Sequence, residues 1–114
     1  MNVTANIDSS RPVATLINVF TVPPERQQEL IDLLTHATET TMKHQAGFIC
    51  ANFHASRDGQ RVINYAQWES EEHYWAMRAD PGARVHMEQA ATIATDVQPR
   101  LFTVVSHHPR PSSA

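Results

Sequence analysis

Asn64 and Trp68 stand four residues apart in residues 61–69 (RVINYAQWE), a run whose Val, Ile, Tyr and Trp enrichment predicts a β-strand. Alternation along that strand puts Val62, Asn64, Ala66 and Trp68 on one face, and Ile63, Tyr65, Gln67 and Glu69 on the other. Asparagine is a poor strand residue, and a side-chain amide on a buried sheet face costs about 1–3 kcal/mol unless something hydrogen-bonds it. The Asn64 amide and the Trp68 indole N–H therefore need partners. A ligand could supply them, with Ala66 leaving space between the two larger residues. The plainer account is that Asn64 bonds to neighbouring backbone while Trp68 fills the core, and on this stretch alone both stand.

Other chemistries have weaker support. Seven histidines invite a metal site, but there is no HxH, HExxH or Cys/His cluster. His36 and His44 lie two turns apart on an expected helix, and His107 and His108 point to opposite sides of an expected strand, so no resident metal is expected. The lone Cys50 cannot form an internal disulfide. With a net charge of −3, charges of both signs scattered and only three glycines, the chain has neither a basic footprint for nucleic acid nor a phosphate-cradling loop. No apolar segment after Met1 reads as a signal, and no apolar run approaches the roughly 18 residues of a membrane span. A cytoplasmic enzyme or binding protein is expected.

The elements that must position these residues follow from periodicity and punctuation. At 114 residues the chain is expected to form a single domain, residues 12–108, between a flexible tail at 1–11 and another at 109–114. Val13–Val22 reads as a first strand closed by Pro23 and Pro24, which suit a helix start. Leu30, Leu33, Leu34, Ala37 and Met42 recur at helical spacing from about Glu25 to His44, and Gly47 marks the exit. Residues 48–56 and 61–69 form a hairpin around Asp58-Gly59. Ser70 can cap a second helix with Glu71 and Glu72 in its first turn, interrupted at Asp80-Pro81 and resuming to about Thr95. Pro99 precedes a last strand, residues 100–107.

The order βαββαβ predicts an α+β, ferredoxin-like fold: a four-stranded antiparallel sheet with two helices on one face. One parity holds Ile17, Val19, Ile49, Ala51, Phe53, Ile63, Tyr65, Phe102 and Val104. The other holds Leu16, Asn18, Phe20, Phe48, Cys50, Asn52, His54, Asn64, Trp68, Leu101, Thr103 and Val105. Both need cover and two helices cover one, so a partner sheet from a second subunit, hence a homodimer, is expected.

The run Asn64-Tyr-Ala-Gln-Trp-Glu-Ser70, with Phe53-His54 upstream and Tyr74 downstream, resembles the antibiotic biosynthesis monooxygenase family over about residues 13–107. The likeness is to its small quinone-forming members from aromatic polyketide pathways. It implies a dimeric α+β barrel with a pocket in each subunit between sheet and helices. Carried over by position, the resemblance implicates Asn18, Asn64, Trp68, His54 and Tyr74. A family arginine falls near Met87 here, and Arg84, one turn away, could replace it; Met42, Met77 and Met87 suit an adaptable wall.

The implied activity is oxidation of an anthrone-type ring to a quinone by molecular oxygen, without flavin, haem or metal. A planar aromatic substrate of that kind can form an electron-rich enolate itself. Asn64 and Trp68 would then donate to the developing oxyanion, and Asn18 would hold the other end or the oxygen adduct. His54 would accept the proton, since histidine titrates near neutral pH. Tyr74 and Trp75 are successive in the helix, so one can face the pocket and Tyr74 is the choice. Two alternatives remain. A haem-binding or haem-degrading barrel would use His86 as ligand with Trp75 as companion, and a non-catalytic barrel would bind a small metabolite.

Overall fold

The computed structural model describes residues 5–112. Four strands, β1 (Ala14–Thr21), β2 (Phe48–Ala55), β3 (Arg61–Trp68) and β4 (Asp96–Phe102), form one antiparallel sheet in the order β2-β3-β1-β4. Helix α1 (Gln27–Thr40) joins β1 to β2, and α2 (Glu71–Ala79) with α3 (Pro81–Ile93) joins β3 to β4. The topology is the ferredoxin-like one expected, with the second helix split where expected. Ser70 Oγ accepts from the backbone N–H of His73 at 3.2 Å, and the Asp80 carboxylate from that of Ala83 at 3.0 Å, so each helix starts on its own cap. Pro81, fixed in φ and lacking an N–H, opens α3 at the one place where a helix tolerates it.

The helices cover the sheet face that carries Leu16, Phe20, Val62, Ala66 and Trp68. Two apolar clusters form there. Leu16, Ala66 and Trp68 pack with Tyr74 and Met77 of α2 and Ala83 of α3, while Phe20 and Val62 pack with Leu30 of α1 and Ala90 and Ile93 of α3. Leu30 is wholly buried, worth about 1.5–3 kcal/mol of transfer free energy. Between the clusters the sheet presents a different row: Asn18 sits opposite Asn64 across β1 and β3, with Phe53 beyond Asn64 and Pro99 beyond Asn18.

Three expectations are corrected. The register of β2 on β3 shifts between Phe48 and Cys50, so Phe48 lies opposite Trp68 while Ala51 lies opposite Ala66 and Phe53 opposite Asn64. A residue inserted at such a bulge reverses the alternation beyond it. Phe53 therefore joins the helix-covered face, and Cys50, Asn52 and His54 the other. Strand β4 starts at Asp96, not Arg100, and ends at Phe102, so Thr103, Val104 and Val105 lie outside the sheet. Pro99 lies within β4 because β4 is an edge strand, where a missing N–H breaks no pairing if that position faces outward.

Tail residues Met1–Thr4, Ser113 and Ala114 lie outside the described residues. Within the segment before β1, the Asn6 carbonyl accepts from Gln67 Nε2 at 2.9 Å, fastening that stretch to the uncovered sheet face. Among the described residues no helix is long and apolar enough to cross a membrane.

Candidate active site

A cavity of about 330 Å³ opens between the sheet and the helices where the asparagine row interrupts the core, within the size range of small-molecule sites. Its floor is the sheet. Ala51 and Ala66, neighbours across β2 and β3, leave the floor low, and Asn18, Asn64 and Trp68 stand around them. Trp68 is held edge-on by Phe48, ring centroids 5.5 Å apart, and by Tyr74 at 6.4 Å, which fixes the direction of its N–H.

The polar atoms of this lining are unusual in lacking partners. The Oδ1 atoms of Asn18 and Asn64, Nε1 of Trp68 and Nδ1 of His86 are buried with no hydrogen-bond partner among the described residues. All four residues line the cavity. Each orphaned group costs about 1–3 kcal/mol in an empty protein, and a fold tolerates several together chiefly where a ligand restores the bonds.

The roof comes from the helices. Tyr74 is buried and faces the cavity, whereas Trp75 is half exposed and donates its indole N–H to Glu71 at 3.1 Å. Trp75 is therefore not the inward companion of His86 that a haem site would use. Met87 lines the cavity as well. Arg84 does not: it is exposed and borders only a shallow outer depression. The guanidinium at the cavity belongs to Arg78, whose centre lies 5.9 Å from the Tyr74 ring centroid and 5.6 Å from that of Trp75, and whose Nη1 reaches the Tyr74 hydroxyl at 3.4 Å. No carboxylate lines the cavity, so its electrostatics favour an anion.

His54 is also displaced from its expected place. It lies opposite Ile63 on the uncovered face, exposed, with Nδ1 3.2 Å from the Asn52 carbonyl oxygen. The bulge in β2 puts it there. Arg78 was missed as a cavity residue, and His86 was named only as the ligand of a haem-binding alternative, although helical spacing carried a signal for both. Ala83, His86, Met87 and Ala90 fall on one face of α3, as do Tyr74 and Arg78 on α2. Among the described residues no group of three His, Cys, Asp or Glu side chains could hold a metal ion.

A ferredoxin-like α+β domain with one apolar, carboxylate-free cavity beneath its helices is the class that fold and site define. Within that class, the sequence profile for antibiotic biosynthesis monooxygenases matches residues 14–91, and the chain belongs to this family. It is 44% identical over 104 residues, 90% of each chain, to the tetracenomycin-F1 monooxygenase of Streptomyces glaucescens. It is 31% identical to the ActVA-Orf6 monooxygenase of Streptomyces coelicolor, solved in complex with nanaomycin D, over 90% of this chain and 95% of that one with a TM-score of 0.79. The fold is shared with SnoaB, a cofactor-independent oxygenase of Streptomyces nogalater, at 22% identity, 89% and 99% coverage and a TM-score of 0.68. The chain is thus an enzyme, a monooxygenase.

Proposed function

We propose that this monooxygenase oxidises an anthrone-type ring of an aromatic polyketide to the quinone with molecular oxygen, using no flavin, haem or metal. The carrying observation is the set of unpartnered polar groups on Asn18, Asn64 and Trp68 around an apolar, carboxylate-free cavity. The names of its relatives, a tetracenomycin-F1 monooxygenase and an oxygenase described as cofactor-independent, support the same chemistry.

The substrate ring carbon gives up a proton to form an enolate, which passes one electron to oxygen; the radical pair joins as a peroxide. Loss of the remaining hydrogen on that carbon as a proton, with cleavage of the O–O bond, releases water and leaves the carbonyl. Atoms and electrons balance with oxygen as the sole oxidant. The Trp68 N–H and the Asn64 Nδ2–H donate to the enolate oxyanion, the Asn64 Oδ1 is left to accept from a ring hydroxyl, Asn18 orients the ring, and Tyr74, Met87 and Arg78 hold its far side. His54 and Arg84, which do not line the cavity, have no part in this scheme.

The uncovered sheet face, with Ile17, Val19, Ile63 and Tyr65, would be closed by a second copy, giving a homodimer with one cavity per subunit, working in the cytoplasm.

The test is conversion of anthrone to anthraquinone, followed by oxygen uptake, with protein treated with chelator and free of flavin or haem absorbance. Trp68→Phe keeps an aromatic filler and deletes the N–H. Losing an oxyanion donor from an enclosed site costs about 10²–10³ in rate, and Asn64→Ala should fall similarly. Turnover only after flavin, haem or metal is restored would refute the scheme, as would wild-type rates in both variants.

A further inference from the structure

Among the described residues His86 is the one imidazole that lines the cavity. Its Nε2 lies 3.0 Å from Thr41 Oγ1, and its Nδ1 is buried without a partner. Thr41 stands beside Thr40 at the end of α1. The Thr40 hydroxyl donates to the His36 carbonyl at 2.8 Å, and its oxygen stands 3.5 Å from Thr41 Oγ1. In the tautomer protonated at Nε2, that N–H donates to Thr41 Oγ1. Nδ1 then carries the lone pair.

We infer that His86 is the catalytic base of this site, its Nδ1 taking the proton from the substrate ring carbon, with Thr41 as the positioning residue that holds the tautomer. This rests on the anthrone-oxidation scheme above and supplies the step that scheme leaves open. The C–H bond breaks, its electron pair enters the enolate, and the proton goes to Nδ1. The resulting imidazolium later protonates the hydroxide leaving the peroxide, so water departs and the neutral base is restored. A histidine ordered by a hydrogen bond on its far nitrogen is the usual form of a general base.

His36 of α1 packs its ring edge-on to His86, centroids 6.3 Å apart, and is exposed. Helix α2 contributes Arg78 and Tyr74 to the same cavity, and the polar side chains that the sheet contributes, Asn18, Asn64 and Trp68, are uncharged.

The experiment measures oxygen uptake with anthrone across pH, corrected for protein-free autoxidation. His86→Gln should lose about 10²-fold or more at neutral pH, the ordinary contribution of a general base. It should lose the acid-side limb of the profile, and regain activity with added imidazole. In alkaline buffer, where hydroxide ionises the anthrone, its rate should converge on wild type, whereas the Trp68→Phe defect persists. His36→Gln should keep the limb. Thr41→Val should lose roughly 3- to 10-fold, with the acid limb displaced, and decides the question should His86→Gln fail to fold. Wild-type turnover with an unchanged limb in His86→Gln and Thr41→Val overturns the inference alone. So does a loss that is equal at every pH and deaf to imidazole. Wild-type protein inert toward anthrone overturns the anthrone scheme and this base with it.

Discussion

At the scale of single residues, the cavity exists because two positions are small and two are polar where the sheet would otherwise be packed. Ala66 is buried, with Ala51 on one side and Leu16 on the other. Ala66→Leu should therefore fill space and not force packing apart. Thermal unfolding should show less than the roughly 1–3 kcal/mol penalty of overpacking a closed core. Oxygen uptake should fall at least tenfold, and a variant that kept full activity would place the substrate elsewhere. The asparagine and tryptophan of β3 were legible because polar groups on an apolar strand face need an explanation. Which histidine borders the cavity was not. His54 and His86 are the same residue type, and only packing distinguishes an exposed imidazole from one beside the cavity.

At the scale of elements, caps and breaks read correctly because their chemistry is local: Ser70, Asp80 and Pro81 act within their own helices. The bulge in β2 depends on what lies across the sheet, and no residue in Phe48–Ala55 announces it. One extra residue there exchanged Phe53 for His54 at the cavity. The start of β4 was hidden likewise, since Pro99 reads as a strand boundary until the sheet order makes it an edge. The bend leading into β2 rests on Gly47, whose φ of +81° suits glycine and whose carbonyl accepts from the Glu69 N–H at 2.8 Å. A Cβ there would also collide with the His73 ring. Gly47→Ala should cost about 2 kcal/mol or more, from the left-handed backbone together with the collision. In a domain of this size that is a fall in melting temperature of about 8 °C or more. A loss below half of that would show that the bend relaxes freely.

At the scale of the whole molecule, the expectation of an uncovered apolar face changes in detail. Ala51 and Phe53 have left it and Val104 lies beyond the sheet, while Cys50, Asn52 and His54 join it and the Asn6 segment covers Gln67. Ile17, Val19, Ile63, Tyr65 and Phe102 remain. Ile63→Lys should convert the proposed dimer to monomer or aggregate in sedimentation at micromolar concentration. Wild-type protein sedimenting as a folded monomer would remove the premise. Pro99 has a consequence for how copies meet. It borders the cavity beside Asn18, yet the donor it lacks belongs to the open flank of β4. A strand from another molecule approaching that flank would find a gap in the ladder, with Asp96 and Arg100 on either side. A residue that borders the cavity therefore also blunts side-by-side pairing at the β4 edge of the sheet.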